Sequence, residues 1–197
     1  MRNPHICSIG GGNMARSLIG GLIGDGMNPQ RITVGEPDAN CREELTNHFG
    51  VTALADNVAA VNESDIVIFA VKPQVMKTAV LPLAEYFSTN NALFISIAAG
   101  IPISSLETWA GINTAIVRAM PNTPAPINAG ITALFANSWV LPKQRDQAES
   151  IMRAVGKVVW VEDEMLMDTV TAVSGSGPAY YFYFMEALEQ IAIEEGL

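Results

Sequence analysis

The sequence predicts an α/β protein: a doubly wound, mostly parallel sheet followed by the start of an all-helical unit. Three observations carry that reading. Short apolar runs alternate with amphipathic segments from His5 to Val161, the pattern of parallel strands joined by crossover helices. Several runs, above all Ile66-Val67-Ile68-Phe69-Ala70-Val71, are apolar at every position, as strands covered on both faces are. After about residue 163 the alternation stops and only helical patterns follow. The division is therefore placed there, with one unit over 1–163 and the beginning of a second over 164–197.

The elements follow in order. His5–Ile9 is a first strand that runs directly into Gly10-Gly11-Gly12-Asn13-Met14-Ala15. A helix over Met14–Ile23 comes next, with Met14, Leu18 and Leu22 on one stripe and Gly24 and Gly26 ending it. This Gly-x-Gly-x-x-Ala turn between strand and helix is the fingerprint of a dinucleotide site. Gly10 permits the tight turn, Gly12 lets the backbone approach a pyrophosphate, and Ala15 lets helix and strand pack closely. The helix then offers unpaired first-turn N–H groups and a positive dipole end to the phosphates. An acidic residue, Glu36, stands after the second strand, Arg31–Gly35, about 20 positions on as the fingerprint requires.

Asp38 is suited to cap a helix over Ala39–Phe49, in which Cys41, Leu45 and Phe49 form a stripe and Gly50 is the stop. Further strands are read at Val51–Ala53, Ile66–Val71, Leu93–Ala98, Ala115–Ala119, Ile131–Ala136 and Val158–Val161. An amphipathic helix over Lys143–Val155 closes at Gly156. Beyond the boundary, a helix over Glu164–Val173 is joined through Ser174-Gly175-Ser176-Gly177-Pro178 to a long helix over Ala179–Glu195. In that joint Ser176 suits an N-cap and Pro178 a first helical turn. Tyr180, Tyr181, Phe182, Tyr183 and Phe184 cover more than one face of the long helix. Such a helix belongs against other helices, supplied by further chain or by another subunit.

Composition narrows the function. The 197 residues suit one large or two small domains, and 49% are hydrophobic, enough for a substantial core. The net charge of −9 argues against a nucleic-acid or anionic-membrane binder, whose usual footprint is a basic face. Cys7 and Cys41 form no Cys-x-x-Cys pair, and with only His5 and His48 as histidines no metal site is expected. No stretch reaches the roughly 18 uninterrupted apolar residues of a membrane span. The expectation is a cytoplasmic protein with reduced thiols.

Four later motifs end strands or join helices: Ala70-Val71-Lys72-Pro73, Ser96-Ile97-Ala98-Ala99-Gly100, Arg118-Ala119-Met120-Pro121-Asn122-Thr123-Pro124-Ala125 and Ser174-Gly175-Ser176-Gly177-Pro178-Ala179-Tyr180. Each alone is also explained as an ordinary turn. Their order and spacing together with the glycine turn resemble the pyrroline-5-carboxylate reductase family, across essentially the whole chain. The pairing of MPNTPA with SGSGPAY is the most specific part of that resemblance.

The resemblance implies a Rossmann domain followed by a helical dimerisation domain, in a homodimer or a ring of dimers. It implies reduction of the cyclic imine 1-pyrroline-5-carboxylate to L-proline with NADPH or NADH. Ile9, Gly10, Gly11, Gly12, Asn13 and Met14 would hold the pyrophosphate, and Asn57 would reach the ribose. Ala70, Val71, Lys72 and Pro73 would line the cofactor, with Ile97, Ala98 and Ala99 beside the nicotinamide. Met120 and Asn122 would border the reacting centre, with Pro121, Thr123 and Ser176 near the substrate. Members of the family continue past the position of Leu197 into a Ser-Pro-Gly-Gly-Thr-Thr-like stretch that holds substrate, so groups acting on the substrate are expected beyond Leu197.

Cofactor choice is divided at this point. Glu36 favours a free ribose 2′-OH and repels a 2′-phosphate, Arg42 on the next helix offers a counter-charge, and the family leans to NADPH. A protonated imine is already a strong electrophile, so placing the two rings face to face in a dry site supplies most of the rate. No general acid is assigned among these residues. Two other readings stand beside this one. A β-hydroxyacid dehydrogenase would use a lysine on its helical domain, and residues 164–197 contain none. A dinucleotide-binding module without catalysis would bind cofactor but turn nothing over.

Overall fold

A computed structural model describes residues 4–197. Its centre is an eight-stranded sheet: β1 (Ile6–Ile9), β2 (Ile32–Gly35), β3 (Thr52–Leu54), β4 (Ile66–Phe69), β5 (Leu93–Ser96), β6 (Ile116–Met120), β7 (Gly130–Ala136) and β8 (Gly156–Trp160). The order is β3-β2-β1-β4-β5-β6-β7-β8. The first six strands are mutually parallel. β7 runs antiparallel to β6, and β8 follows the direction of β7. All eight strands read from the sequence are present, within two residues at most ends.

Alternation across the pleat explains the continuous apolar strands. Ile66 and Ile68 face one core, with Leu18, Ile32, Val34 and Leu45, while Val67 and Phe69 face the other, with Met76, Phe87 and Phe94. Each large side chain so buried contributes about 1.5–3 kcal/mol. The second core is strongly aromatic: Phe69 stacks on Phe94 at 4.3 Å between centroids, and Phe87 on Phe94 at 5.2 Å.

Helices cover both faces. α1 (Asn13–Gly24) buries Ala15, Leu18, Ile19 and Leu22. α2 (Ala39–Phe49) begins where the Asp38 side chain accepts from Cys41 N–H and ends at Gly50 in the left-handed region, so both predicted signals act there. α3 (Asn57–Val61), α4 (Pro73–Val80), α5 (Ala84–Asn90) and α6 (Ile103–Ala110) lie between strands, and α7 (Pro142–Arg153) precedes β8.

The chain beyond the sheet departs from its expected form. α8 (Leu166–Val170) passes into a π-helical stretch, Thr171–Ser176, and then into α9 (Gly177–Glu194) without leaving helical geometry. The expected corner capped by Ser176 is absent: Ser176 is itself helical and makes no capping bond. Consecutive glycines and serines let the turn widen by one residue, so no break is needed. No residue of α9 is buried, and Tyr180, Tyr181 and Tyr183 are 71–75% exposed.

One buried ion pair joins the helical extension to the sheet. Arg118 on β6, its side chain 6% exposed, donates to Glu164 Oε1 at 2.6 Å. The same oxygen accepts from Ile103 N–H at 2.7 Å. Helix α6 has Pro102 at its N-cap and no capping side chain there, so Glu164 serves as a cap supplied from a distant segment.

Candidate functional site

The strand order reverses direction of growth at β1, with β2 on one side and β4 on the other. In open parallel sheets this switch point opens a crevice at the carboxyl ends of the strands. A cleft of about 390 Å³ lies there, lined by residues at and just after the ends of β1, β2 and β4, by the start of α3 and by one face of α4.

The glycine turn has the geometry its sequence demands. Gly10 sits at φ +97°, and a Cβ there would lie 2.6 Å from the carbonyl oxygen of Ala70. Gly12 is the N-cap of α1 and provides no capping side chain. A Cβ on Gly12 would meet nothing within 4 Å, because it would project into the open cleft. That bare backbone at a helix N-terminus fits a pyrophosphate. On the cleft wall, Gly35 lets Asn57 approach, since a Cβ there would lie 2.5 Å from Asn57 Oδ1.

Of the residues expected to bind cofactor, Ile9, Gly10, Gly11, Gly12, Glu36, Asn57, Ala70, Val71 and Lys72 all line this cleft. Lys72 is exposed at the N-cap of α4 and belongs to no ion pair among the described residues. Asn13, Met14 and Pro73 lie next to lining residues but not on the lining itself. Val75, Thr78 and Ala79 of α4, with Pro37, complete the wall and were not read from the sequence. Once Pro73 is taken as a first helical residue, Val75 and Thr78 fall three apart on one helix face, which is the signal that would have found them.

Ile97, Ala98 and Ala99 follow β5, whose Ser96 is paired with Phe69 of β4. Met120, Pro121, Asn122 and Thr123 end β6, whose Arg118 is paired with Ser96. Because β1, β4, β5 and β6 are adjacent and parallel, their terminal turns form one row along a single sheet edge. Three strand spacings of about 4.8 Å make that row about 14 Å from β1 to β6. At its far end Asn122 Oδ1 accepts from Ile131 N–H at 2.9 Å, and Asn122 Nδ2 donates to Ser174 Oγ at 3.3 Å. Met120 packs its terminal methyl against Gly175 where a side chain would collide. The π-helical stretch is thus held against the same row, while Thr123 and Ser176 are exposed beside it.

Two charged side chains make bonds that the sequence did not reveal. Glu36 Oε2 accepts from Gly11 N–H at 2.8 Å, and its Oε1 accepts from Asp38 N–H at 3.0 Å; the carboxylate buttresses the glycine turn as well as lining the cleft. Arg42 turns back, its Nη1 donating to the carbonyls of Glu36 and Pro37 at 2.8 and 2.7 Å. Arg16, which the sequence did not single out, ties α1 to α2. It donates to Gly11 O at 3.1 Å, Cys41 Sγ at 3.3 Å and Glu44 at 2.7 Å. The bonds to Cys41 and then Glu44 raise the Arg16 pKa above its ordinary value.

Comparison with known proteins agrees with this architecture. Residues 5–100 match a family model described as NADP oxidoreductase coenzyme F420-dependent, and residues 164–197 match one described as pyrroline-5-carboxylate reductase dimerisation. A pyrroline-5-carboxylate reductase of Pseudomonas aeruginosa is 44% identical over 197 residues, covering all of this chain and 72% of that protein. A solved pyrroline-5-carboxylate reductase of Coxiella burnetii superposes with a TM-score of 0.93 at 43% identity, over all of this chain and 73% of the other. The Plasmodium falciparum pyrroline carboxylate reductase, solved with NADP bound, gives 0.88 at 27% identity, over 100% and 72%. Fold, cleft and matches together define a Rossmann-fold oxidoreductase. Within that class, the chain belongs to the pyrroline-5-carboxylate reductase family.

Proposed function

We propose that this chain reduces 1-pyrroline-5-carboxylate to L-proline, with NADH or NADPH bound along the row of strand ends. The observation that carries this reading is the open backbone of Gly12 at the α1 N-terminus, set in a chain 44% identical to a reductase of that name. When bound, the cofactor supplies the hydride. The protein's own groups place it. Gly10, Gly11 and Gly12 with the first-turn amides of α1 take the pyrophosphate. Glu36 and Asn57 take the adenosine ribose, and Ala70, Val71 and Lys72 form the floor between the two halves. Ile97, Ala98 and Ala99 leave room for a flat ring beside β5. Met120 and Asn122 stand next to the position of the imine carbon, with Pro121, Thr123 and Ser176 around it. Asn122 is fixed by bonds to Ile131 and Ser174, so it is preorganised. Orientation and exclusion of water supply the rate.

The unit boundary is proposed between residues 163 and 164. The exposed apolar surface of α9 then serves association of subunits in a homodimer or a ring of dimers. No helix among the described residues is long and apolar enough to cross a membrane, and the buried Cys7 and the partly buried Cys41 are free thiols. Both suit a cytoplasmic enzyme. The test is proline formation from 1-pyrroline-5-carboxylate in the presence of reduced cofactor, monitored at the nicotinamide absorbance. Cofactor binding with no proline formed would instead identify a non-catalytic dinucleotide module.

A further inference from the structure

We propose that Glu164 is a positioning residue for the nicotinamide half of the cofactor, acting through the backbone turn after β5 and through strand β6. The inference rests on the cofactor reading of the row of strand ends and adds to it what holds the far half of that row in place.

The two halves of the row are secured differently. The glycine turn is tied by side chains around it. Ser8 Oγ donates to Gly10 O at 2.8 Å, Glu36 Oε2 accepts from Gly11 N–H at 2.8 Å, and Arg16 Nε donates to Gly11 O at 3.1 Å. The turn after β5 cannot tie itself in this way, because Ile97-Ala98-Ala99-Gly100-Ile101-Pro102-Ile103 contains no polar side chain. Its first amides make long bonds, Ile97 N–H to Phe69 O at 3.2 Å and Ala98 N–H to Ser96 Oγ at 3.3 Å. Where the turn enters α6, Pro102 offers no capping side chain. The first-turn amide of Ile103, which has no partner within the helix, donates to Glu164 Oε1 at 2.7 Å.

The same oxygen accepts from Arg118 Nη1 at 2.6 Å. Arg118 is paired in register with Ser96 of β5 and stands just before Met120, the last residue of β6, from which the Asn122 loop departs. Glu164 also belongs to the root of the helical extension, where its carbonyl accepts from Met167 N–H at 3.0 Å and the Met167 side chain is buried. One carboxylate oxygen therefore joins the start of α6, strand β6 and the extension. Stability alone does not account for this junction. The Arg118 side chain is buried and its Nε finds no hydrogen-bond partner, and an incompletely satisfied buried charge is a poor source of stability beside a well-packed apolar pair. What the junction supplies is direction. Two short charge-assisted bonds fix a separation that apolar contact would let slide. A misplacement of about 1 Å at a reacting centre costs about a hundred-fold in rate, so the turn at Ile97–Ala99 needs such a tether against the Asn122 loop.

The experiment is titration calorimetry of the full chain with NADH and with ADP-ribose, which lacks the nicotinamide, repeated on Glu164→Ala and Glu164→Gln. ADP-ribose should bind each folded variant within about two-fold of the wild type, because the glycine turn is tied independently of Glu164. NADH should bind about ten-fold more weakly to Glu164→Ala, which loses both bonds, and about three-fold more weakly to Glu164→Gln, which keeps an acceptor for Ile103 N–H but not the charge facing Arg118. Should Glu164→Ala fail to fold, Glu164→Gln decides. A merely structural role would weaken both ligands alike. A NADH-to-ADP-ribose affinity ratio unmoved in Glu164→Gln, or both ligands weakened together, overturns the proposal. Titration requires no turnover. Binding of NADH without proline formation therefore refutes the reductase reading and leaves the positioning role standing, whereas a wild type that binds neither ligand overturns both.

Discussion

At the scale of single residues, Gly12 and Glu164 carry the clearest consequences. Gly12→Val fills the open cleft at the α1 N-terminus while meeting no protein atom at its Cβ. Dinucleotide binding should be lost with thermal stability nearly unchanged, by titration calorimetry and circular dichroism side by side. Glu164→Ala removes the partner of a buried arginine and the cap of α6 together. Its expected cost is about 3 kcal/mol in urea unfolding, with Glu164→Gln costing less because an acceptor for Ile103 N–H survives. Burial pushes the Cys7 thiol from 9.0 up to about 12, with a small opposing contribution from a backbone hydrogen bond to Gly35. The folded state then retains a proton that the unfolded chain gives up above pH 9. Stability should be unaffected by Cys7 below pH 9 and fall by up to about 1.4 kcal/mol per pH unit from there towards pH 12. Cys7→Ala should flatten that alkaline limb in unfolding titrations at fixed temperature. Local chemistry of this kind was partly legible in the sequence: the roles of Gly10, Gly12, Asp38 and Gly50 follow from backbone rules. The Glu36–Gly11 bond and the Arg118–Glu164 pair were not, because residues 25 and 46 positions apart meet only through the sheet.

At the scale of elements, the central strands were legible because runs such as Ile66–Phe69 and Leu93–Ser96 are buried on both faces, and Ala39–Phe49 because both its caps are coded locally. The reversed direction of β7 and β8 was not. Nothing in a run such as Ile131–Ala136 states the polarity of its neighbour; the short path through the 3₁₀ turn at Ala125–Ile127 makes β7 fold back on β6. The π-helical stretch was misjudged for a related reason, since Ser and Gly read as a break where a widened turn keeps the helix running. Helix α9 is the element whose sequence and exposure disagree most. Its aromatic face is proposed to meet another subunit. Phe184→Asp should lower the sedimentation mass towards the monomer while leaving the circular dichroism of the sheet domain intact. An unchanged mass would place the association elsewhere.

At the scale of the whole molecule, the parallel strands bring the glycine turn, the Lys72 turn, the Ala98 turn and the Asn122 loop to one edge, and the helical extension packs against the end of that row. The chain spans about 72% of the length of the relatives it matches. The turns that make up this row were legible in the sequence as an ordered series of motifs. Its geometry came from strand adjacency, which periodicity alone does not state. The central claim is that this row carries hydride to a cyclic imine. The most direct test is conversion of 1-pyrroline-5-carboxylate to proline by the wild-type chain and by Gly12→Val, with NADH and NADPH in parallel. The account predicts proline from the wild type and none from the variant. Absence of proline with both cofactors, or equal turnover by the variant, would contradict it.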